Sequence, residues 1–390
     1  MPDAAIALRT PALDRVEQVG VVSLCAMAGV LQFSIAAAQT LLAVSVLCWL
    51  VLLISGREHF EAPRFLWPLI AYGAWTLVSA AFSPDLRHSL MECKQLVLFL
   101  IVPITYSFVR GNRGLTLMTV VLTFAAISAA LGIFEYAILH YDDLHRRVQG
   151  TLGHYMTYSG LLMLVIGVAL ARVLFGKRER TWAALVMPAL VVAVALTFTR
   201  TAVVGACAAA ALLLTLKDFR LLAALPVVAA LFVVFAPGKV NARVASIFDM
   251  NDPTNRDRIA MIHEGGHMIA AHPIVGVGPN MVQPLYAQYR DPEAVEKVNP
   301  HLHDVPLQIA AERGLPALAI WLSFVVMLLV DLARRFRAGD QRFLAAAALA
   351  AVTAMLAAGF FENNFGDSEF LMLFLVIVTV PFAAEHAVAA

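Results

Sequence analysis

Arg256-Asp257-Arg258-Ile259-Ala260-Met261-Ile262-His263-Glu264-Gly265-Gly266-His267 lies in the longest span of this chain that lacks a membrane-length apolar run. That span extends from Pro237 to Gly314. It also contains His272-Pro273-Ile274-Val275-Gly276-Val277-Gly278-Pro279-Asn280, and near its end Pro300-His301-Leu302-His303-Asp304 leads into a new apolar helix. Outside it, apolar runs fall at 19–36, 38–55, 65–83, 95–109, 115–138, 156–175, 182–198, 201–216, 219–236, 307–331, 342–361 and 367–384. A helix needs roughly 20 mainly apolar residues to cross a bilayer. The expected fold is therefore an all-α polytopic membrane protein with about 12 transmembrane helices and one large helical loop. Residues 1–236 would carry the first nine spans, 237–303 a periplasmic catalytic lobe, and 304–390 the last three.

Composition points the same way. The 390 residues are 61% hydrophobic and 14% charged, whereas in a soluble domain roughly a quarter are charged. A net charge of +1 excludes broad attraction to nucleic acid, so the placement of charge carries the information rather than its total. Cys25, Cys48 and Cys207 lie inside apolar runs and Cys93 stands alone near a segment end, which implies neither a disulfide framework nor a thiol metal site. The polar start, Met1 to Gln18, has no small-residue cleavage site after it and is expected to precede an uncleaved first span.

Basic residues set the orientation. With the N-terminus inside, inner segments collect Arg9, Arg15, Arg57, Arg64, Arg110, Arg113, Arg172, Lys177, Arg178, Arg180, Lys217, Arg220, Arg334, Arg335, Arg337 and Arg342. The short outer loops hold only Arg87, Lys94, Arg146, Arg147 and Arg200. Both termini are then cytoplasmic and the 237–303 lobe is outside. Within the lobe, Pro253 with Thr254 or Asn255 predicts a capped helix start, with apolar residues at helical spacing through Met268 and Ile269. That helix is expected to lie against the membrane surface. Gly276 and Gly278, beyond Pro273, permit a tight turn or a close backbone approach to a ligand.

Three constellations bear on chemistry. His263-Glu264-Gly265-Gly266-His267 matches H-E-x-x-H, in which two histidines one turn apart bind zinc and the glutamate is general base. Two glycines cost about 1 kcal/mol each inside a helix, however. The positions a further histidine would take hold Ala270 and Pro273, and the possible ligands Glu293 and Glu296 lie beyond a proline-glycine break, so the pair is read as surface histidines and no metal site is assigned. His303 precedes a helix start in which Asp304 can cap and Pro306 sits in the first turn. The positive end of that helix dipole favours the neutral imidazole that a general base requires. Arg147, Arg200 and Arg258 form an outer-face set. Arg200 falls between two apolar runs, and an arginine fork suits phosphate oxygens.

The segments Arg258 … His272-Pro273-Ile274-Val275-Gly276-Val277-Gly278 and His303-Asp304-Val305-Pro306-Leu307 … Glu312-Arg313-Gly314 together resemble the signature of the bacterial O-antigen ligase and polymerase superfamily. Thr199-Arg200-Thr201 and Gly150-Thr151-Leu152-Gly153-His154 resemble that family's arginine motif and outer loop. The chain departs from the pattern at Asp304, Ile262 and Ala317.

The resemblance implies a metal-independent, inverting glycosyltransferase without cofactor in the bacterial inner membrane. Its donor would be O-antigen polysaccharide on undecaprenyl diphosphate, and its acceptor a sugar hydroxyl of lipid A-core. His303 would be the base, Arg200 and Arg258 would contact the diphosphate, and Arg147 would be a weaker donor-site candidate. Membrane lipids are the other expected partners, and the enzyme is expected to be a monomer. A polymerase or a protein O-oligosaccharyltransferase of the same superfamily is the nearer alternative. A membrane zinc peptidase or a lipid-linked sugar flippase is the distant one.

Overall fold

The computed structural model describes residues 11–143, 145–235, 238–246, 249, 251–339 and 341–386. Arg9, and the boundary set between residues 236 and 237, lie outside them. The described residues are helical, in the order α1 (Pro11–Val30), α2 (Ile35–Ile54), α3 (Leu66–Ala81), α4 (Leu86–Glu92), a 3-10 stretch Cys93–Leu100 and α5 (Ile101–Phe108). Then follow α6 (Arg113–Ala137), α7 (Tyr155–Phe175), α8 (Arg180–Leu196), α9 (Arg200–Lys217), α10 (Ala224–Phe235), α11 (Gly238–Ala245), α12 (Pro253–Ala271) and α13 (Val282–Tyr289). The last three are α14 (Val305–Ala338), α15 (Arg342–Gly359) and α16 (Ser368–His386).

Each of the twelve apolar runs falls on helical structure, and among the described residues eight stretches are long and apolar enough to cross a membrane. The others differ for physical reasons. Helix α1 begins ahead of its apolar run and takes in Asp14, Arg15 and Glu17. Helices α3, α8 and α10 have 16, 17 and 12 residues, short for a bilayer crossing. The chain is an all-α, multi-pass membrane protein. Helices α7, α15 and α16 form its buried centre, whereas α2 leaves Leu47, Leu50, Val51 and Ile54 exposed, as expected of a helix facing hydrocarbon.

The segment between α10 and α14 folds onto the bundle. Helix α12 packs on α14, and Met261, Met268, Val277, Met281, Val282 and Leu302 make a small separate core. The cap expected at the start of α12 is supplied by Asp252, whose Oδ1 accepts the Thr254 N–H at 3.0 Å, with Pro253 in the first turn.

Helix α14 is broken at Gly314 (φ 81°, ψ 171°), just before Pro316, which has no N–H to continue the ladder. The carbonyls left over at the break find partners elsewhere. Val277 N–H donates to Ala311 O and Gly278 N–H to Glu312 O, both at 2.9 Å, while Leu315 N–H turns to Pro273 O at 2.8 Å. Trp75 Nε1 donates to Arg313 O at 2.9 Å, and Ser79 Oγ to Glu312 O at 2.9 Å. Gly276 and Gly278 thus serve a close approach, as expected, but the partner of Gly276 is the backbone of the broken helix. A Cβ at Gly276 would lie 2.2 Å from the Glu312 carbonyl carbon, and one at Gly314 would lie 1.9 Å from Ile274 O.

Candidate active site

His303 stands at the N-terminal end of α14. Asp304 Oδ1 accepts the Leu307 N–H at 2.7 Å, so the expected cap is formed, and burial pushes that carboxyl up from its ordinary range against the effect of the N–H. His303 itself adopts φ 49°, a left-handed conformation that few non-glycine residues take. Leu302 N–H donates to Gln308 Oε1 at 2.7 Å, which helps hold the entry to the helix. Backbone strain of this kind persists where the surroundings over-determine it, and it clusters at functional sites.

The partner that orients His303 is Glu362. It lies in the short connection between α15 and α16, and it was not singled out from the sequence. His303 Nδ1 lies 3.1 Å from Glu362 Oε1 and 3.2 Å from Oε2, and His301 Nε2 lies 3.2 Å from the same Oε1. The two rings are 4.1 Å apart between centroids. Burial works to raise the Glu362 carboxyl, but the hydrogen bonds and charge of His301 and His303 outweigh it and hold the group well below the usual carboxylate range. The carboxylate can only accept, so in the neutral imidazole the N–H sits on His303 Nδ1 and Nε2 carries the lone pair. His301 thus shares the carboxylate that holds His303. The sequence signal available was the polar break Glu362-Asn363-Asn364 between two apolar runs.

Arg200, Arg258 and His303 meet around one cavity of about 250 Å³, which Thr201, Asn255 and Asp304 also line, together with apolar side chains including Val204, Ile259, Ile262 and Phe361. Arg200 is buried at the first turn of α9. Its Nη1 donates to Ser246 O at 2.9 Å and its Nη2 to Asn255 Oδ1 at 3.1 Å, with Asp252 Oδ1 3.5 Å away. It therefore also ties α9 to the start of α12. Arg258 Nη2 donates to Phe361 O at 3.0 Å, next to Glu362. Arg147 does not line this cavity. Its guanidinium lies 4.2 Å from the centre of the Tyr155 ring, and Tyr155 lines a second cavity of about 350 Å³ that also reaches His301, His303 and Glu362.

The H-E-x-x-H stretch is arranged differently. His263 and His267 are exposed, and His263 Nδ1 is 2.9 Å from Asp291 Oδ2. Glu264 is 1% exposed and turned inward, where its Oε1 accepts the Asp291 N–H at 3.0 Å. Burial raises its carboxyl, against that N–H. Gly265 is explained by packing, since a Cβ there would lie 2.7 Å from Leu307. No metal was assigned from sequence. Among the described residues one set of three side chains is close enough to share an ion, and it is His301, His303 and Glu362.

No curated protein matches the chain. Residues 185–322 match the family model described as O-antigen ligase. The matched segment contains Arg200, Arg258 and His303, but neither Arg147 nor Glu362. That match, over 138 of the 390 residues, supports the resemblance to the O-antigen ligase superfamily.

Proposed function

We propose that the protein is an O-antigen ligase, which transfers a polysaccharide from undecaprenyl diphosphate to a sugar hydroxyl of lipid A-core at the periplasmic face of the inner membrane. The observation that carries this reading is the convergence of Arg200, Arg258 and His303 on one cavity. These residues come from α9, α12 and the entry to α14, far apart in the chain. His303 Nε2 takes the proton of the attacking hydroxyl as its oxygen bonds to the anomeric carbon, and the bond to the diphosphate breaks on the opposite side. One displacement of this kind inverts the anomeric centre. Arg200 and Arg258 offset the charge that develops on the leaving diphosphate, a role a metal ion otherwise fills. The apolar walls beside the arginines suit the start of a polyprenyl chain. Glu362 keeps the imidazole in the tautomer with Nε2 unprotonated, and it stabilises the imidazolium that forms. Arg147, one ring removed from the second cavity, would contact the donor only through its glycan.

The test is to supply purified protein with defined lipid-linked glycan and lipid A-core. Glycosylated lipid A-core is the expected product. A longer lipid-linked glycan would instead make the protein a polymerase, and peptide glycosylation would make it a protein-modifying relative. Reporters fused within 238–303 should be active only in the periplasm, and reporters near Arg178 or Arg335 only in the cytoplasm. The reverse pattern would remove the site from the face where this reaction occurs.

A further inference from the structure

The geometry points to a transition-metal site at His301, His303 and Glu362, where a bound zinc-class divalent ion switches the base off. Two imidazoles and a carboxylate form a frequent three-ligand set for zinc. Ligands about 2.1 Å from a tetrahedral zinc stand about 3.4 Å from one another. Glu362 Oε1 already lies 3.2 Å from His301 Nε2 and 3.1 Å from His303 Nδ1, and the three ligand atoms fall within 4.8 Å of one another. The remaining pair, His301 Nε2 and His303 Nδ1, lies within 4.8 Å. All three side chains are partly accessible, at 27, 17 and 14% exposure, and all three line the cavity of about 350 Å³. An ion can enter from that cavity, and a water can take the fourth position.

The switch follows from the two nitrogens of His303. When Nδ1 donates its proton to Glu362, Nε2 carries a lone pair and can accept a proton. When Nδ1 binds a metal, a neutral imidazole must carry its one proton on Nε2. The proton moves through solvent from Nδ1 to Nε2 in His303 and from Nε2 to Nδ1 in His301, with no net release, and Glu362 exchanges its two hydrogen bonds for a metal bond. His303 then donates where it should accept. The binding half of this inference is independent of the reaction, whereas the inhibitory half rests on the function proposed above.

The experiment uses the purified full chain after metal removal. Zinc is titrated by calorimetry, and cobalt is followed by the visible absorption of a tetrahedral complex. One equivalent should bind, and His301→Ala and Glu362→Gln should each weaken binding at least about 100-fold, more than loss of an outer-shell partner does. His263→Ala, beside Asp291 on the other histidine pair, should leave binding unchanged. Transfer should fall at least about 10-fold in saturating zinc and recover with EDTA, and His301→Ala should resist the ion. Absence of binding, binding untouched by His301→Ala and Glu362→Gln, or loss of binding in His263→Ala would overturn the site. Transfer that rises with zinc and stops on chelation would overturn the inhibitory role. A protein that binds zinc through His301 but makes no product under any condition would support the site and refute the proposed reaction.

Discussion

Two regions of this molecule hold a pair of histidines and a glutamate, and they behave in opposite ways. In His263-Glu264-Gly265-Gly266-His267 the three residues lie within five positions of sequence, yet the glutamate faces away from the histidines. Adjacent residues on a helix point about 100° apart, so the exposed face carries His263 and His267 while Glu264 turns toward Asp291 and Tyr286. In the second region Glu362 is separated from His303 by a 34-residue helix and an 18-residue helix, and the two still meet at 3.1 Å. Sequence proximity put two histidines and a glutamate on one helix without bringing their side chains together, and tertiary packing joined three that no contiguous motif connects.

The sharpest way to break this comparison is to remove one histidine from each region. His303→Ala should lower transfer by roughly 10² to 10⁴-fold while the lipid-linked donor still binds, because it removes a proton acceptor and no contact to the leaving group. His263→Ala and His267→Ala should be nearly silent in the same product assay. If the two helix histidines were essential and Glu264 acted as base, the comparison would be inverted and a zinc hydrolase would be the better account.

Next in expected size is Glu362→Gln. It keeps the shape of the side chain but removes the charge that accepts from His303 Nδ1, so kcat should fall by about 10- to 100-fold, the worth of one charge-assisted hydrogen bond. Donor KM should stay within about 3-fold, since Glu362 holds the base and does not hold the diphosphate. A change confined to KM would show that Glu362 binds substrate instead of positioning the histidine.

Arg200→Lys and Arg258→Lys ask whether the arginines belong with His303. Each should cost about 10- to 100-fold in kcat/KM, because a compact ammonium does not reproduce a two-pronged contact to diphosphate. Arg200 also bonds Ser246 and Asn255, so thermal stability must be measured beside activity. Loss of activity with an unchanged melting temperature supports a diphosphate contact. Full activity in both variants would leave these side chains only their contacts within the protein.

The smallest effect concerns the other region. The Glu264 carboxyl is raised by burial, so in the folded protein it binds its proton more tightly than in the unfolded chain. Such a group adds nothing to the pH dependence when both states are protonated. As pH rises from the ordinary carboxylate range through the folded value, the unfolded state ionises first and stability falls. Glu264→Gln removes that loss. It should raise the melting temperature at pH 8 relative to the native chain and do so less at pH 5, with transfer unaffected. An equal shift at both pH values would mean that the buried carboxyl is not what titrates.

These regions also show how far the sequence could be read. The apolar runs determined the helical segments, because in hydrocarbon every backbone N–H and C=O must be satisfied within its own helix, and only a long apolar stretch can remain there. Asp304 announced the cap at the entry to α14, since a side chain bonding the backbone three residues on is a local event. The arginines and His303 could be named as candidates from residue type and pattern. Tertiary structure alone decided which of them share a cavity, why Arg147 lies apart, and that Gly276 meets the Glu312 backbone, and Gly314 the Ile274 backbone, at the break in α14. It also decided that His301, His303 and Glu362 share one carboxylate. Helix propensity, capping and hydrophobic length act over a few neighbouring residues and leave their mark in order along the chain. A carboxylate reaching an imidazole from another helix depends on how the whole bundle packs, and no local pattern records it.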